Sequence, residues 1–526
     1  MVFLAAFLAI ALVIKLSMPL FHEVIVNSKL FFQLLLAASV IALLRNGVGI
    51  ATYGLFGPAI VAFALLGPGP VWGLALFANI TILAIAVRFI IDPLALSNSY
   101  RIAVIIAIFG IFVSLLEITG ELYHLSILEA SLLFPALITS WMADRFVNET
   151  KEIGWKDPAT KLFTTFAVIF LSYLVISQTP FVIWFIENPE MWVVLVGVNL
   201  LLATGMRIRL MEYVRFGPLL KGKDDVLTMN VRNREYIEKY NPRNLHPNLD
   251  KAEMKKAMHG LGIPTPETYM LVSERRQLGK VSQMLSKMDK FVIKPNRAYG
   301  GEGIIVVRNR KGDKYDTNLG ELKLADLVNR MQQIMDGQYS NRVTDTAIIE
   351  ELIVMDPFFE KICYGGVPDI RVIVFKGFPL MSMTRLTTKQ SGGEANLHKG
   401  AVGVGLDISS GKSIRAYANR LGVIKKHPDT GVSLEDITIP RWKEILALAV
   451  KGHYASRLGY SGVDIVIDRK KGPMILEVNK RPGMGIQNTN KAGLLKRLRF
   501  VEERLSELEH LPAEKKIELA MGWKWE

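Results

Sequence analysis

Hydrophobic and polar positions divide the chain into two regimes that meet near residue 206. Up to Met206, Leu, Ile, Val, Ala and Phe run in long blocks broken by isolated charges; from Arg207 onward Lys, Arg, Glu and Asp recur at the density of a water-exposed domain. A helix needs roughly 20 apolar residues to cross a bilayer's hydrocarbon, because every backbone amide there must be satisfied within the segment. The blocks at 2–21, 30–45, 48–66, 70–91, 102–119, 124–142, 162–186 and 190–206 predict about eight spans over residues 1–206. No small-residue cleavage motif follows the first block, so it reads as an uncleaved helix rather than a removable signal peptide.

Residues 207–247 read as a basic juxtamembrane connector, and beyond them the periodicity alternates between helix and strand. A short helix at 251–260 is stopped by Gly260 and Gly262, with Pro264 and Pro266 behind them. Strands are predicted at 291–294 and 303–307, joined by a turn-rich segment into a hairpin with a glycine-rich tip. Further strands are expected at 347–351, 369–375, 380–385, 463–467 and 474–478, and helices at 440–457 and 491–509.

Charge adds an orientation. The formal net charge is +14, from 63 Lys and Arg against 49 Asp and Glu, yet no basic stripe interleaves with aromatics, so nucleic acid is not an expected partner. Cations instead flank the spans. Arg145, Lys151, Lys156 and Lys161 share one connection, whereas the neighbouring connections carry Glu117 and Glu121 or Glu187 and Glu190. Cytoplasmic loops accumulate Lys and Arg, which places Arg207, Arg209, Arg215, Lys221 and Lys223 inside, on the side of ATP and against anionic lipid. Lys15 and Lys29 are discordant with this scheme. Arg45, Arg88, Glu117 and Glu129 read as interfacial anchors near span ends. A single cysteine, Cys363, excludes an intramolecular disulfide.

Residues 45–58, Arg-Asn-Gly-Val-Gly-Ile-Ala-Thr-Tyr-Gly-Leu-Phe-Gly-Pro, together with Gly-Leu-Ala-Leu-Phe at 73–77 and Arg88, resemble the seven-helix membrane module usually fused to an inactive transglutaminase-like domain. The resemblance covers about residues 30–206.

In the water-exposed half, two groups of residues carry chemistry. A glycine-rich hairpin tip can bring backbone N–H groups close to anionic oxygens, and Lys294 at the end of the preceding strand can add a positive charge. On its own such a tip is more often an ordinary tight turn. Asp464 lies in one predicted strand, and Glu477 and Asn479, two apart in another, share a face. Two carboxylates and an amide oxygen suit Mg²⁺, which keeps waters and bridges phosphates; the bland reading is a solvated strand face.

In order, Asp250-Lys251 with Gly262-Ile-Pro264, Phe291-Val-Ile-Lys-Pro295 through Gly303-Ile304, Ile349-Glu-Glu-Leu-Ile353, Asp369-Ile-Arg371 with Arg385, Asn396-Leu-His-Lys-Gly400, and Asp464, Glu477 and Asn479 resemble the ATP-grasp superfamily. Within it, the likeness is to RimK-type glutamate ligases and D-alanine–D-alanine ligases, over about residues 248–488, leaving 489–526 as a C-terminal helical tail. The fold class implied is a multi-pass α-helical membrane domain followed by an α+β ATP-grasp domain. The resemblance implies ATP held by Lys251, Lys294, Gly300, Gly301 and Gly303, with Glu350, Glu351 and Ile353 at the adenine hinge. Asp356 or Glu360 would hold the ribose. Arg371, Arg385, Asn396 and His398 would line the reaction centre, and Asp464, Glu477 and Asn479 would bind Mg²⁺; Lys255 is expected on a helix surface. His398 also reads as an ordinary loop histidine.

The activity implied is an ADP-forming carboxylate-amine ligase of a bacterial-type inner membrane, acting on an amino acid, peptide or related small carboxylate and an amine. One alternative is an ATP-binding regulator or partner of a membrane complex that does not ligate. Another is a transporter with an attached ligase, for which the sequence shows no broken helix with paired polar residues.

Overall fold

The computed structural model describes residues 9, 12–17, 29–91, 98–123, 133–153, 155–205, 209–216, 225–242, 250–298, 301, 303–340, 344–419 and 421–524. The predicted span at 2–21, the first part of 124–142 and the site residue Gly300 lie largely or wholly outside them. Two compact units emerge, Met1–Arg215 and Phe216–Glu526.

The first unit is helical: Lys29–Ala42 continuing as the π-helix Leu43–Val48, then Phe56–Ala64, Pro70–Ile91, Asn98–Leu122, Leu133–Ile153, Lys156–Ile176, Thr179–Glu187 and Glu190–Gly205. Ile41, Tyr53, Val61, Phe77, Phe109, Ile169 and Val182 form its interior. Trp72, Ile82, Phe89, Ile90, Ile111 and Phe163 are equally apolar and exposed, so these helices are hydrophobic all round, as lipid solvation requires.

Among the described residues, four helices are long and apolar enough to span a bilayer, or five if the pair Thr179–Glu187 and Glu190–Leu202, bent by 100°, counts as one. The sequence-based spans change in three places. At 48–66, Gly49 (φ 96) and Gly54 (φ 92) take left-handed backbone, so the chain leaves the helix. What remains, Phe56–Ala64, has 9 residues and is only about 14 Å long. At 162–186 the helix ends at Ile176 and restarts at Thr179, with Pro180 in the first turn, where a residue lacking an N–H can begin a helix but not continue one. The acidic pair Glu187 and Glu190 therefore flanks a bend rather than a connection between two spans. Of the block expected at 124–142, the described part belongs to helix Leu133–Ile153, which runs on past the expected end and carries Asp144, Arg145 and Glu149.

The second unit is built on two antiparallel sheets. Its strands are β1 (Thr268–Val272), β2 (Phe291–Pro295), β3 (Ile305–Lys311), β4 (Lys314–Thr317), β5 (Gly320–Lys323), β6 (Ala347–Glu350), β7 (Asp369–Phe375), β8 (Phe378–Leu386), β9 (Val402–Leu406), β10 (Ser413–Ala418), β11 (Gly422–Ile424), β12 (Tyr460–Asp468) and β13 (Gly472–Asn479). One sheet has the order β1-β6-β2-β3-β4-β5, the other β11-β10-β9-β8-β7-β12-β13. In the smaller sheet Phe291, Ile293, Ile305 and Val307 pack against Val281 and Leu285 of helix Leu278–Leu285 and Leu327 and Met331 of helix Leu324–Met335. In the larger sheet Ile370, Val372, Val404 and Ile465 face helix Trp442–Ser456.

The opposite face of the larger sheet is divided. Part of it, through Ile373, Leu380, Met381 and Met383, is buried under Ile486, Leu494 and Leu498 and under Val226, Val231 and Tyr236. Side-chain amides fasten this cover: Gln487 bonds both the N–H and C=O of Leu227, and Asn241 does the same for Tyr460. The single helix expected at 491–509 is instead Leu494–Glu502 and Leu505–Leu508, because Lys491 (φ 51) turns the chain after Ile486–Asn490. The rest of that face carries Arg371, Arg385 and Asp464, which the sequence singles out as site candidates.

Candidate active site

On the smaller sheet, residues two apart share a face, so Val292 and Lys294 of β2 lie opposite the buried Phe291 and Ile293 and beside β6, where Glu350 pairs with Val292. Lys294 Nζ reaches Glu350 Oε1 at 2.6 Å, and both side chains are buried. The other carboxylate oxygen takes Lys255, which also donates to the Pro266 carbonyl at 3.1 Å. Lys255 was expected on a surface; it is buried, because its helix Lys251–Gly260 turns that face onto β6. Burial, reinforced by the Lys294 charge, pulls the Lys255 ammonium down to about 8. Burial opposes ionisation of Glu350, yet the two ammonium groups hold its carboxyl below the usual glutamate value.

Lys251 opens that helix, capped by Asp250, whose Oδ1 accepts from Glu253 N at 2.9 Å. Its ammonium donates to the carbonyl of Ala298 at 2.6 Å, while Ala252 N donates to Asn296 Oδ1 at 2.8 Å. The helix start is thereby stitched to the segment leaving β2. Burial lowers the Lys251 ammonium, and the opposing charge of Glu477 places that carboxylate of the larger sheet within electrostatic reach. Gly301 (φ 88) and Gly303 (φ 71) hold left-handed backbone in the loop; a Cβ on Gly303 would press into the Tyr339 ring at 2.7 Å. Glycine is required there by both backbone and space.

The residues expected at an adenine hinge are held through their neighbours. Glu351 accepts from Lys471 at 2.6 Å and from Glu267 N at 3.2 Å, and Ile353 is half-buried just beyond β6. Asp356 caps the turn Pro357–Glu360 by accepting from Phe358 N, whereas Glu360 is paired with Arg469.

On the larger sheet, register pairs Asp369 with Arg385 and Asp464 with both Arg371 and Glu477. Arg371 meets both oxygens of Asp464 at 2.7 Å. Arg385 forks onto Asp369 and also reaches Asp464 Oδ2 at 2.9 Å, where Asn479 Nδ2 donates at 2.9 Å as well. Burial, with the Asp464 charge added, raises the Asp369 carboxyl to about 6 against the pull of Arg385. Asp464 goes the other way: Arg371 and Arg385 outweigh its burial and keep it below the usual aspartate range. Arg371, Arg385, Asp464, Glu477 and Asn479 thus come together. Asn396 caps the turn Leu397–Lys399 through the N–H of His398, which is exposed.

The loop glycines bring the backbone so close to Glu394 and Tyr339 that a Cβ would collide with them, and the Lys251 ammonium donates at Ala298 where the loop begins, a combination of backbone and positive charge that suits a triphosphate. Glu477 and the amide oxygen of Asn479 would offer atoms of the hard type that suits magnesium, and Asp464 would join them by exchanging one of its contacts to Arg371, Arg385 or Asn479 Nδ2. Among the described residues, no three His, Cys, Asp or Glu form a cluster able to hold a metal alone. Sequence reasoning passed over Asp369 as a partner of Arg385 and Lys255 as a partner of Glu350. The second was readable, since Lys251 and Lys255 are one helical turn apart.

Comparison with known proteins gives two family matches. Residues 231–503 match the family described as sugar-transfer associated ATP-grasp, and residues 11–220 match the family of seven transmembrane helices usually fused to an inactive transglutaminase. No curated protein matches the sequence. Among solved structures, the ATP-grasp ligase PsnB with a minimal precursor is 13% identical, with 51% of this chain and 63% of that chain covered, at a TM-score of 0.29. The D-alanine–D-alanine ligase from Bacillus anthracis with ATP is 17% identical over 52% of this chain and 67% of that one, TM-score 0.25. The D-cycloserine synthetase DcsG is 13% identical over 49% and 70%, TM-score 0.29. The chain thus spans less than two thirds of PsnB, and likenesses at this level carry no argument about chemistry.

Proposed function

We propose, from the premise that this chain belongs to the sugar-transfer associated ATP-grasp family, that its second unit is an ADP-forming ligase joining a carboxylate to an amine through an acyl phosphate. The substrate acid would be an amino acid, peptide or related small carboxylate, as in RimK-type ligases. What supports this reading is that Lys251, bonded to the Ala298 carbonyl at the start of the glycine loop, feels the charges of both Lys294 and Glu477.

In this mechanism Lys251 and Lys294 neutralise charge spreading over the transferred phosphoryl group, and the loop backbone positions it. Bound magnesium, held by Asp464, Glu477 and Asn479, would supply further charge. Arg385 and Arg371, fixed by Asp369 and Asp464, orient the acid and its acyl phosphate, with Asn396 and His398 nearby in the chain. Glu350, Glu351, Ile353 and Asp356 line the base and ribose end. The membrane unit anchors this chemistry, with the second unit on the cytoplasmic side where ATP is available.

The test is ADP release by the full-length protein across a panel of amino acids, peptides and other carboxylates, each with amine donors. Acid-dependent release that Lys294→Ala and Glu477→Gln each reduce at least about 100-fold supports the reading. ATP binding without any acid-dependent release would favour the regulatory alternative.

A further inference from the structure

The ligase scheme leaves the membrane unit as an anchor, yet its helices are interrupted by a segment that a plain anchor does not need. Between the π-helix Leu43–Val48 and helix Phe56–Ala64 the chain runs non-helically through residues 49–55. Another helix satisfies the backbone there: Tyr53 N donates to Thr165 Oγ1 at 3.1 Å, and Thr164 Oγ1 donates to the Ala51 carbonyl at 2.7 Å. π-Helical turns gather at functional sites, and irregular backbone in a lipid-embedded unit persists only where the protein supplies its partners.

Charged and aromatic side chains gather round this segment. Tyr53 is buried, and its hydroxyl donates to Glu149 Oε2 at 3.1 Å. Lys161 donates to Glu149 Oε1 at 2.7 Å and stands 4.4 Å from the centre of the Tyr53 ring, so both carboxylate oxygens are engaged and the ammonium is held in place. One turn before Glu149, Arg145 lies 4.5 Å over the ring of Trp141, whose Cζ3 is 3.9 Å from where a Cβ on Gly54 would stand. Arg88 is buried on Asp144 at 3.0 Å, whereas Arg145 is exposed and, among the described residues, has no carboxylate within ion-pair reach. Two cations on neighbouring helices, Leu133–Ile153 and Lys156–Ile176, therefore border one short segment, each against an aromatic ring. Phe56, directly after the segment, and Phe163, two residues after Lys161, are exposed on the apolar outside of the unit.

We propose that Arg145 and Lys161 form a binding site for the phosphate headgroup of an anionic lipid, whose acyl chains lie along Phe56 and Phe163. A guanidinium with no carboxylate to satisfy offers a fork of donors to phosphate oxygens, and the lysine adds a point charge. A simple interfacial anchor needs charge at the right depth but no fixed geometry. Here the Trp141 ring and the bond to Glu149 set both cationic heads before a ligand arrives, which lowers the ordering cost of binding. The exposed phenyl rings favour a lipid over free phosphate, because a water-borne phosphate gains nothing from apolar surface.

In the test, full-length protein in a neutral detergent is titrated with phosphatidylglycerol, phosphatidylcholine or inorganic phosphate, and the lipid bound per chain is counted by native mass spectrometry. The parent should hold one phosphatidylglycerol at least about tenfold more tightly than phosphatidylcholine. Arg145→Gln and Lys161→Gln should each remove most of that preference, whereas Lys156→Gln, which alters an exposed cation at the start of the same helix as Lys161, should change it less than about twofold. Equal losses in all three variants would mean diffuse attraction of anionic lipid to a basic surface and overturn the site, as would equal affinity for the two lipids. Displacement of phosphatidylglycerol by an equimolar amount of inorganic phosphate would overturn the assignment to lipid. If Lys161→Gln does not fold because Glu149 loses its cation, Arg145→Gln, which strands no carboxylate, decides: an unaltered lipid preference at an unchanged unfolding midpoint overturns the proposal.

Discussion

Glu350 shows how much hangs on one side chain. Its carboxylate is the shared counter-charge of Lys255 and Lys294, all three buried, so Glu350→Gln strands two ammonium groups out of water. Breaking a buried pair from one side costs about 3–5 kcal/mol, and chemical unfolding of the full chain in detergent should show a loss of that size. His453 gives a second residue-level outcome. It is buried against Ser461, with Lys516 and Lys376 as neighbouring cations, and burial pulls its pKa from 6.5 to about 3. The unfolded chain binds this proton as pH falls through 6.5, whereas the folded chain does so only near 3. Stability from this group is therefore fully present above that window and is lost across it on acidification, by about 1.4 kcal/mol per pH unit. Protection factors in helix Trp442–Ser456, which are corrected for the intrinsic exchange rate at each pH, should fall accordingly, and His453→Gln should flatten the dependence. Strand position and motif single out Lys294 and Glu477 in the sequence as candidates for the site. Asp369 does not stand out as a partner of Arg385, because which cation the fold places opposite it depends on the pairing of β7 with β8.

At the scale of elements, the hairpin of β2 and β3 and the fully buried strands β7 and β12 were readable, since apolar runs such as Val372–Phe375 and Ile465–Ile467 bury both faces. Strands β9 to β11 were not, for β9 is Val-Gly-Val-Gly-Leu and looks like a loop. Its glycines have a packing reason: a Cβ on Gly405 would run into the Thr489 carbonyl, and one on Gly403 would lie 2.7 Å from Thr489 Cγ2. Gly405→Ala should therefore destabilise by about 1–3 kcal/mol through overpacking. Gly279, within helix Leu278–Leu285, has open space where a methyl group would sit, with no neighbouring atom within 4 Å, so Gly279→Ala should stabilise by about 0.5–1 kcal/mol through helix propensity. Thermal unfolding of the two variants should move in opposite directions; a Gly405→Ala protein as stable as its parent would mean that Ile486–Asn490 is not held against β9. Broken helices escaped the sequence for the converse reason. Hydropathy averages over Gly49, Gly54 and Pro180, whereas the backbone responds to each singly.

For the whole molecule, the question left by composition is which side of the membrane carries the second unit. Helix Lys156–Ile176 is long and apolar enough to cross, and it begins beside the basic connection that contains Lys156 and Lys161. Its far end leads at once to the pair Thr179–Glu187 and Glu190–Leu202, bent by 100°, which carries the chain back if the two form one span. If positive charge sets the orientation, residues 155 and 178 lie in different compartments, with 155 on the ATP side. The protein is suited to a direct measurement because its single cysteine, Cys363, is buried. Trp155 and Gln178 are both exposed. In sealed, right-side-out vesicles a membrane-impermeant thiol reagent should label Gln178→Cys and spare Trp155→Cys until the bilayer is opened. Labelling of both from outside would show that this helix does not cross. Labelling of Trp155→Cys alone would invert the orientation and place Lys251, Lys294 and the rest of the site in a compartment without ATP, which no ligase chemistry could survive.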